Sequence, residues 1–333
     1  MTEFSTQTAR KGDSDRLGWC FASGRVAALE GQLLGRSFFH SLIESGNLGE
    51  ARSALAKTAY RSVFTTDESV KEYPAAIEEY SARLRDELTD VSPKHAVFDL
   101  WAMPARYRTM RTLFLRSVEK NASGDELAEV MLSFAGSEAQ KAALARHAEI
   151  VRGRRFAGDQ VATSMLLDSA EVTALFTLAQ SAPEETVKAF IIDRAVLSAW
   201  SAVLRSTWNG TDASFIAQWF VLPAALGDLA AESAAAAESD PAAALGRRVS
   251  AGVAGGLAKL ARDEIRADVD LAMSEAISEN VRAMRMSPFG PERLISYLVA
   301  LDAEETNLRI ALATVAHDMD RKAAYSRLRR EYA

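Results

Sequence analysis

The residues in this chain best placed to do chemistry are carboxylates in apolar surroundings. Glu30 lies in the stretch GRVAALEGQLLG, residues 24–35. At about 100° per residue along a helix, it falls between Val26 and Leu34, away from the polar side of Arg25, Gln32 and Arg36. Glu304 repeats the pattern in YLVALDAEETNLRIALATVA, residues 297–316. It falls between Ala300, Leu308 and Ala311, on or beside the face formed by Tyr297, Leu301, Leu312 and Val315. Glu305 is expected on the polar side, with Asp302, Thr306 and Arg309 opposite or beside the apolar face. A bare buried carboxylate is costly and must find a partner. It could carry a proton, ligate a cation or hold an arginine. Arg106 falls between Met110 and Leu113 and is a candidate partner. No second catalytic group stands near either glutamate in sequence, so a structural role for Glu30, Glu304 and Arg106 is the favoured expectation.

Other reactive groups give less. The four histidines, His40, His95, His147 and His317, stand in no H-E-x-x-H or Glu-x-x-His arrangement. His40 and Glu44 share a helix face, which reads as half a metal site or, more simply, a solvated pair. Cys20 is the single cysteine, which excludes an internal disulfide and a Cys-based zinc cluster. There is no G-x-S-x-G elbow and no G-x-G-x-x-G fingerprint. SAGVAGGLAKL, residues 250–260, lacks the GK[ST] ending of a phosphate loop. No cofactor or metal is expected. Three arginine-rich groups stand out: Arg106, Arg108, Arg111 and Arg116; Arg146, His147, Arg152, Arg154 and Arg155; and Arg321, Lys322, Arg327, Arg329 and Arg330. Such runs are usually solvated faces. Here Arg108, Arg111, Arg321, Arg327, Arg329 and Arg330 are also candidates for meeting an acidic partner.

The elements that must position these residues are helices. Helical periodicity is expected over 15–45, 47–58, 68–90, 103–119, 123–133, 136–152, 159–180, 183–207, 212–232, 241–284, 290–316 and 319–331, with almost no sheet. Gly24, Ala28, Gly31 and Gly35 fall within an arc of about 60° on the first helix, a stripe of small residues that would let another helix approach. Helix–turn–helix units recur across Ser45-Gly46-Asn47, Asn121-Ala122-Ser123-Gly124, Trp208-Asn209-Gly210-Thr211-Asp212 and His317-Asp318. Each turn carries residues suited to stopping one helix and capping the next.

Composition agrees. The 333 residues are 48% hydrophobic and 25% charged, with only 8 prolines, an ordinary balance for a soluble, helix-rich protein. A net charge of -6 argues against a nucleic-acid partner. The stretch FIAQWFVLPAALGDLAA, residues 215–231, contains Gln218, Pro223 and Asp228 and reads as a core helix, so no membrane span is expected. Residues 1–15 read as a flexible polar tail. Residues 16–333 read as a single all-helical domain, with approximate repeats around 16–100, 101–210 and 211–333.

Two longer stretches carry a resemblance. ASGRVAALEGQLLGRSFFHSLIESGNLGEARSALAKTAY (22–60) and SPFGPERLISYLVALDAEETNLRIALATVAHDMDRKAAYSRLRREY (287–332) together resemble the two ends of the C-type subunit of the V/A-type ATPases, or ATP synthases. Its eukaryotic counterpart is the d-type subunit of the V-ATPase. The matching positions are the arginine-valine and leucine-glutamate of the first helix; Thr58 and Tyr60; Phe289, Gly290, Pro291 and Glu292; Tyr297 and Leu298; Asp302 and Glu304; Asn307, Leu308 and Arg309; and Tyr332. A weaker echo lies in ARYRTMRTLFL (105–115), where Arg106, Thr109 and Met110 depart from the family pattern and Arg111 keeps a basic position. The resemblance implies a funnel-shaped, pseudo-threefold all-α fold without an active site. It implies a rotor subunit on the cytoplasmic face of the membrane, a socket coupling the central shaft of the ATPase head to the proteolipid ring. The alternative is a diverged helical scaffold or ligand-binding protein with buried glutamates.

Overall fold

The computed structural model describes residues 3–64, 73–154, 156 and 159–330. Among them there is no strand, and the chain runs through seventeen α-helices. In order these are α1 (Glu3–Glu30), α2 (Arg36–Ile43), α3 (Leu48–Leu55), α4 (Tyr73–Val91), α5 (Ala96–Glu119), α6 (Gly124–Ser133), α7 (Glu138–Arg152) and α8 (Gln160–Ala179). There follow α9 (Glu185–Trp208), α10 (Ala213–Trp219), α11 (Leu229–Ala236), α12 (Pro241–Gly246), α13 (Ala251–Leu257), α14 (Arg262–Ala267), α15 (Val269–Arg285), α16 (Pro291–Ala316) and α17 (Arg321–Arg327). The chain forms two compact units. One combines residues 1–95 with 281–333, and the other is the contiguous stretch 96–280.

In the unit built from both chain ends, α16 is the central helix and packs against α1, α2, α3, α4 and α17. Every residue from Leu294 to Leu301 is buried, so this part of α16 has no solvent side. Further along, Glu305, expected on a polar face, is 8% exposed, because α4 packs on α16 there and its Ser81 reaches the carboxylate. The small-residue stripe of α1 also departs from expectation. Gly24 has no neighbour within 4 Å of a built Cβ, and Ala28 and Gly31 are exposed. The close approach on α1 occurs instead at Gly18, where a Cβ would come 2.8 Å from Pro93 Cδ. The helix expected over 15–45 is broken, α1 ending at Glu30 and α2 starting at Arg36. Gly31 and Gly35 flank that break, where glycine's conformational freedom favours a loop over continued helix. At its other end α1 starts at Glu3, so the backbone is helical within the stretch expected as a loose tail.

In the contiguous unit, α8 packs chiefly on α9 and α7. It is the one described helix long and apolar enough to cross a bilayer, and 67% of its apolar stretch is buried inside the protein, as a core helix requires. The more apolar-looking 215–231 is not one helix: α10 ends at Trp219 and a short 3-10 turn, Ala224–Leu226, follows Pro223. The long helix expected over 241–284 is four, α12 to α15. Asp240 caps α12 by accepting from the Ala243 N–H at 2.9 Å, with Pro241 in its first turn. In contrast α5 runs through Pro104 and begins at Ala96, seven residues before the expected start.

The turn chemistry is as expected. Asn47 caps α3 and Ser123 caps α6 in a reciprocal box with Glu126. Asn121, Gly210 and Asp318 have φ of 57°, 83° and 48°, the left-handed conformation that ends helices. The expected helix start at 68, Arg155 and Tyr332 lie outside the described residues.

Candidate functional site

Glu304 is the polar centre of the two-ended unit. Its carboxylate is 5% exposed. It accepts from the Tyr60 phenol at 2.8 Å and from the Leu34 backbone N–H. Leu34 lies in the break after α1, so a residue of α16 satisfies a donor that the interrupted helix left open. Tyr60 is fully buried, and its position follows from Thr58. The Thr58 hydroxyl donates to the Leu55 carbonyl at 2.7 Å and accepts from the Tyr60 N–H at 3.2 Å, capping the 3-10 turn Ala59–Ser62. The Tyr60 ring lies against Tyr80, with centroids 4.2 Å apart.

Glu305, next along α16, accepts from Arg309 at 3.2 Å and is also held by the Ser81 hydroxyl of α4. Burial pushes both carboxyls up to about 7. For Glu304 the donors Leu34 and Tyr60 oppose that rise, and for Glu305 the Arg309 charge does. The Tyr60 phenol is itself raised, first by burial and then by the Glu304 charge.

Glu30 closes the end of α1. Its carboxylate meets the Arg293 guanidinium at 2.5 Å, with side chains 10% and 19% exposed. A carboxylate at a helix C-terminus opposes the helix dipole, and Arg293 supplies the compensating charge. Arg293 also donates to the Arg285 carbonyl at 3.1 Å, fixing the turn into α16. Within that turn Gly290 has φ 120°, and its N–H donates to the Ser23 hydroxyl of α1 at 3.3 Å.

The chain terminus is stitched on by the same chemistry. The Asn307 side chain donates to the Arg329 carbonyl at 3.1 Å and accepts from the Arg329 N–H at 2.8 Å. The Arg329 guanidinium reaches Asp302 at 2.9 Å. Glu44, next to α2, receives Arg321 at 2.8 Å and the Tyr325 phenol, while His40 stacks on Tyr325 with centroids 4.5 Å apart. The His40–Glu44 pair therefore holds α17 against α2. No group of three or more potential metal ligands occurs among the described residues.

The contiguous unit carries a second tyrosine–carboxylate pair, half-buried. The Tyr107 phenol donates to Asp168 at 2.5 Å, and Arg111 reaches Asp168 at 2.9 Å, Tyr107 at 2.8 Å and Ser164 at 2.9 Å. Burial, then the Asp168 charge, raises the Tyr107 phenol. Glu171, one turn on, is pushed up to about 7 by burial and by Asp168. Arg106 lies in this unit as well, on α5, and its partner is Asp99, through the carbonyl at 3.0 Å and the carboxylate at 3.4 Å. The expected pairing of Arg106 with a buried glutamate is thus replaced by a bond within its own helix. Its guanidinium covers Gly136, where a Cβ would overlap it. His147, grouped by sequence with the arginines, is 2% exposed and is held down to about 4 by burial, so it adds no charge. Among the candidate interface arginines, Arg108, Arg321, Arg327 and Arg330 are exposed, whereas Arg111 and Arg329 are partly buried in the bonds just described.

Three contributors escaped the sequence reading. Arg293 had a signal, since it directly follows the Phe-Gly-Pro-Glu motif. Asp168 had one too, in its spacing from Ser164 on an otherwise apolar helix. Asp193, buried on α9 and accepting from the Ser250 N–H at 2.9 Å, had none, because its partner lies 57 residues away.

These side chains form clasps between distant segments, and most of the carboxylates are occupied by donors of the same chain. Glu30, Thr58, Tyr60, Asp302, Glu304 and Asn307 among them are positions on which the resemblance rests. A family model described as "ATP synthase (C/AC39) subunit" matches residues 22–327. The chain belongs to this family. The C/AC39 match opens at Ala22 in α1, ends at Arg327 in α17 and runs through the middle segment, where the sequence resemblance is weakest. A comparison with curated proteins found no match. Membership places the chain among the subunits of the rotary V/A-type ATPases, a membrane-associated complex. Within the matched stretch, Thr58, Tyr60, Asp302, Glu304 and Asn307 make the bonds that tie the two ends of this chain into one unit.

Proposed function

We propose that this chain is a non-catalytic rotor subunit. It acts as a socket that receives the central shaft of the soluble ATPase head and rests on the membrane proteolipid ring. Torque then passes between nucleotide chemistry in the head and ion movement in the ring. The chain works from the cytoplasmic face, peripheral to the membrane, needs no cofactor, and takes a funnel shape with pseudo-threefold helix hairpins. The observation that carries this reading is the family match over 22–327. The side-chain chemistry supports it: a torque-bearing part needs rigidity, and buried carboxylates held by two donors supply rigidity rather than reactivity. The exposed Arg108, Arg321, Arg327 and Arg330 are the proposed contacts with acidic surfaces of shaft or ring.

Affinity purification of the tagged chain from native membranes in mild detergent tests the proposal. The head, shaft and ring subunits should be recovered with it. Recovery of the chain free of all of them would overturn the reading.

A further inference from the structure

The outward side of α1 and of the turn that ends it is apolar over about four helical turns. Leu17, Cys20, Phe21, Gly24, Ala28 and Gly31 are all exposed, Leu17 at 61% and Phe21 at 71%. Ala27 is exposed beside them. At about 100° per residue these positions fall within a sector of about 120°. Between Leu17 and Gly31 no charged or amide side chain stands in that sector. A helix face turned to water is ordinarily polar, and a contiguous exposed apolar patch marks a surface that meets another molecule.

Size is distributed unevenly along this face. The larger side chains, Leu17, Cys20 and Phe21, stand in its N-terminal half, and Ala27, Ala28 and Gly31 in its C-terminal half. Gly24 stands between them, with nothing within 4 Å of a built Cβ. An antiparallel copy of the face, turned about an axis at Gly24, therefore sets large against small at each step. Leu17 comes opposite Gly31, Cys20 opposite Ala28 and Phe21 opposite Ala27. A parallel copy would set Phe21 on Phe21 and leave a gap between the two Gly31. The polar rim agrees with the antiparallel register. The exposed Arg16 comes opposite the exposed Gln32, a guanidinium facing an amide oxygen. Phe289, 43% exposed, lies under Arg16, with 5.8 Å from the guanidinium carbon to the ring centroid, and widens the apolar surface there.

We infer that this side of α1 is the contact face of a dimer of the free chain, with its two-fold axis at Gly24. Such an interface is isologous, the same patch serving both copies. Glycine and alanine along half of it permit the approach of two helix axes to about 8–10 Å.

Analytical ultracentrifugation of the purified full chain over a range of concentrations tests the pairing. The wild type should pass from the mass of one chain to that of two as concentration rises. Gly24→Arg sets two guanidinium groups face to face across the axis and should hold the chain at the mass of one. Its melting temperature should not fall, because arginine is the better helix former and position 24 is open. Oxidation with copper phenanthroline tests the register. Cys20 lies four residues from the axis, so two Cys20 stand about 12 Å apart along the helices, too far for a disulfide. The wild type should therefore stay uncross-linked, whereas Cys20→Ser combined with Gly24→Cys should give a disulfide-linked dimer. A one-chain mass at every concentration, a dimer that survives Gly24→Arg, or a cross-link through Cys20 and none through Gly24→Cys would each overturn the inference. So would a monomer that floats with phosphatidylcholine vesicles, which would make lipid the occupant of this face.

Discussion

At Glu304 the burial that raises the carboxyl competes with two donors that stabilise its charge, and the balance makes the clasp sensitive to pH. The folded-state value of about 7 lies above the ordinary 4.5, and the same holds for Glu305. The folded chain thus binds more protons than the unfolded one between these values. The stability from this source is fully present below pH 4.5 and is lost as pH rises through 7. At most it amounts to about 3 kcal/mol per carboxyl. Urea titrations from about pH 5.5 to about pH 8.5, spanning the raised value, should show the wild type losing stability relative to Glu304→Gln as pH rises. Parallel curves would refute the assignment. Removing the phenol that meets this carboxylate, in Tyr60→Phe, should cost about 1.5–3 kcal/mol, the value of a hydrogen bond to a charged group. An unchanged urea midpoint would show that the bond does not hold the clasp. The burial of Glu30 and Glu304 was legible because each sits on an apolar helical face. Their partners were not, since Leu34 lies 270 residues from Glu304 and Arg293 lies 263 from Glu30. Helical spacing carries no information at that range. Glu305 was misread because a wheel drawn for one helix cannot show that neighbours surround it.

Among the elements, the glycines separate three physical situations. Gly24 sits in an exposed part of α1 with nothing near a built Cβ. Gly24→Ala should therefore stabilise the chain by about 0.5–1 kcal/mol, the helix-propensity difference. Gly136 lies under the Arg106 guanidinium, and Gly136→Ala should destabilise by displacing it. Gly290 has φ 120°, and a Cβ there would come 2.8 Å from a Glu292 oxygen. Gly290→Ala should cost about 1–3 kcal/mol through backbone strain. Thermal unfolding of the three variants checks the order, and a destabilised Gly24→Ala would restore the small-stripe packing that sequence spacing predicted. Helices flanked by strong caps, such as α6 and α7, could be located in the sequence to within two residues. The stretch 241–284 could not, because its breaks at 247–250, 258–261 and Asp268 lie in alanine- and glycine-rich or charged sequence that reads as helix as easily as turn.

For the whole molecule, the division into units makes a claim about folding. Residues 96–280 are contiguous and carry their own core around α8 and α9. A fragment of these residues should fold cooperatively by circular dichroism. Residues 1–95 alone should not, since Glu30, Tyr60 and Glu44 would lack Arg293, Glu304 and Arg321. Independent folding of 1–95 would contradict the role given to α16. The all-helical class was legible from composition and period, and the family from residues at both ends. That the two ends form one unit was not, because no local pattern records which distant segments meet. In the proposed role the chain couples ATP hydrolysis to ion movement without chemistry of its own. The most direct measurement follows the ATP-driven ion gradient in membrane vesicles from cells lacking the chain, before and after adding it back in purified form. Hydrolysis by the head should persist without the chain, the gradient should be lost, and adding the chain should restore it. A gradient of undiminished size in its absence would contradict the coupling role.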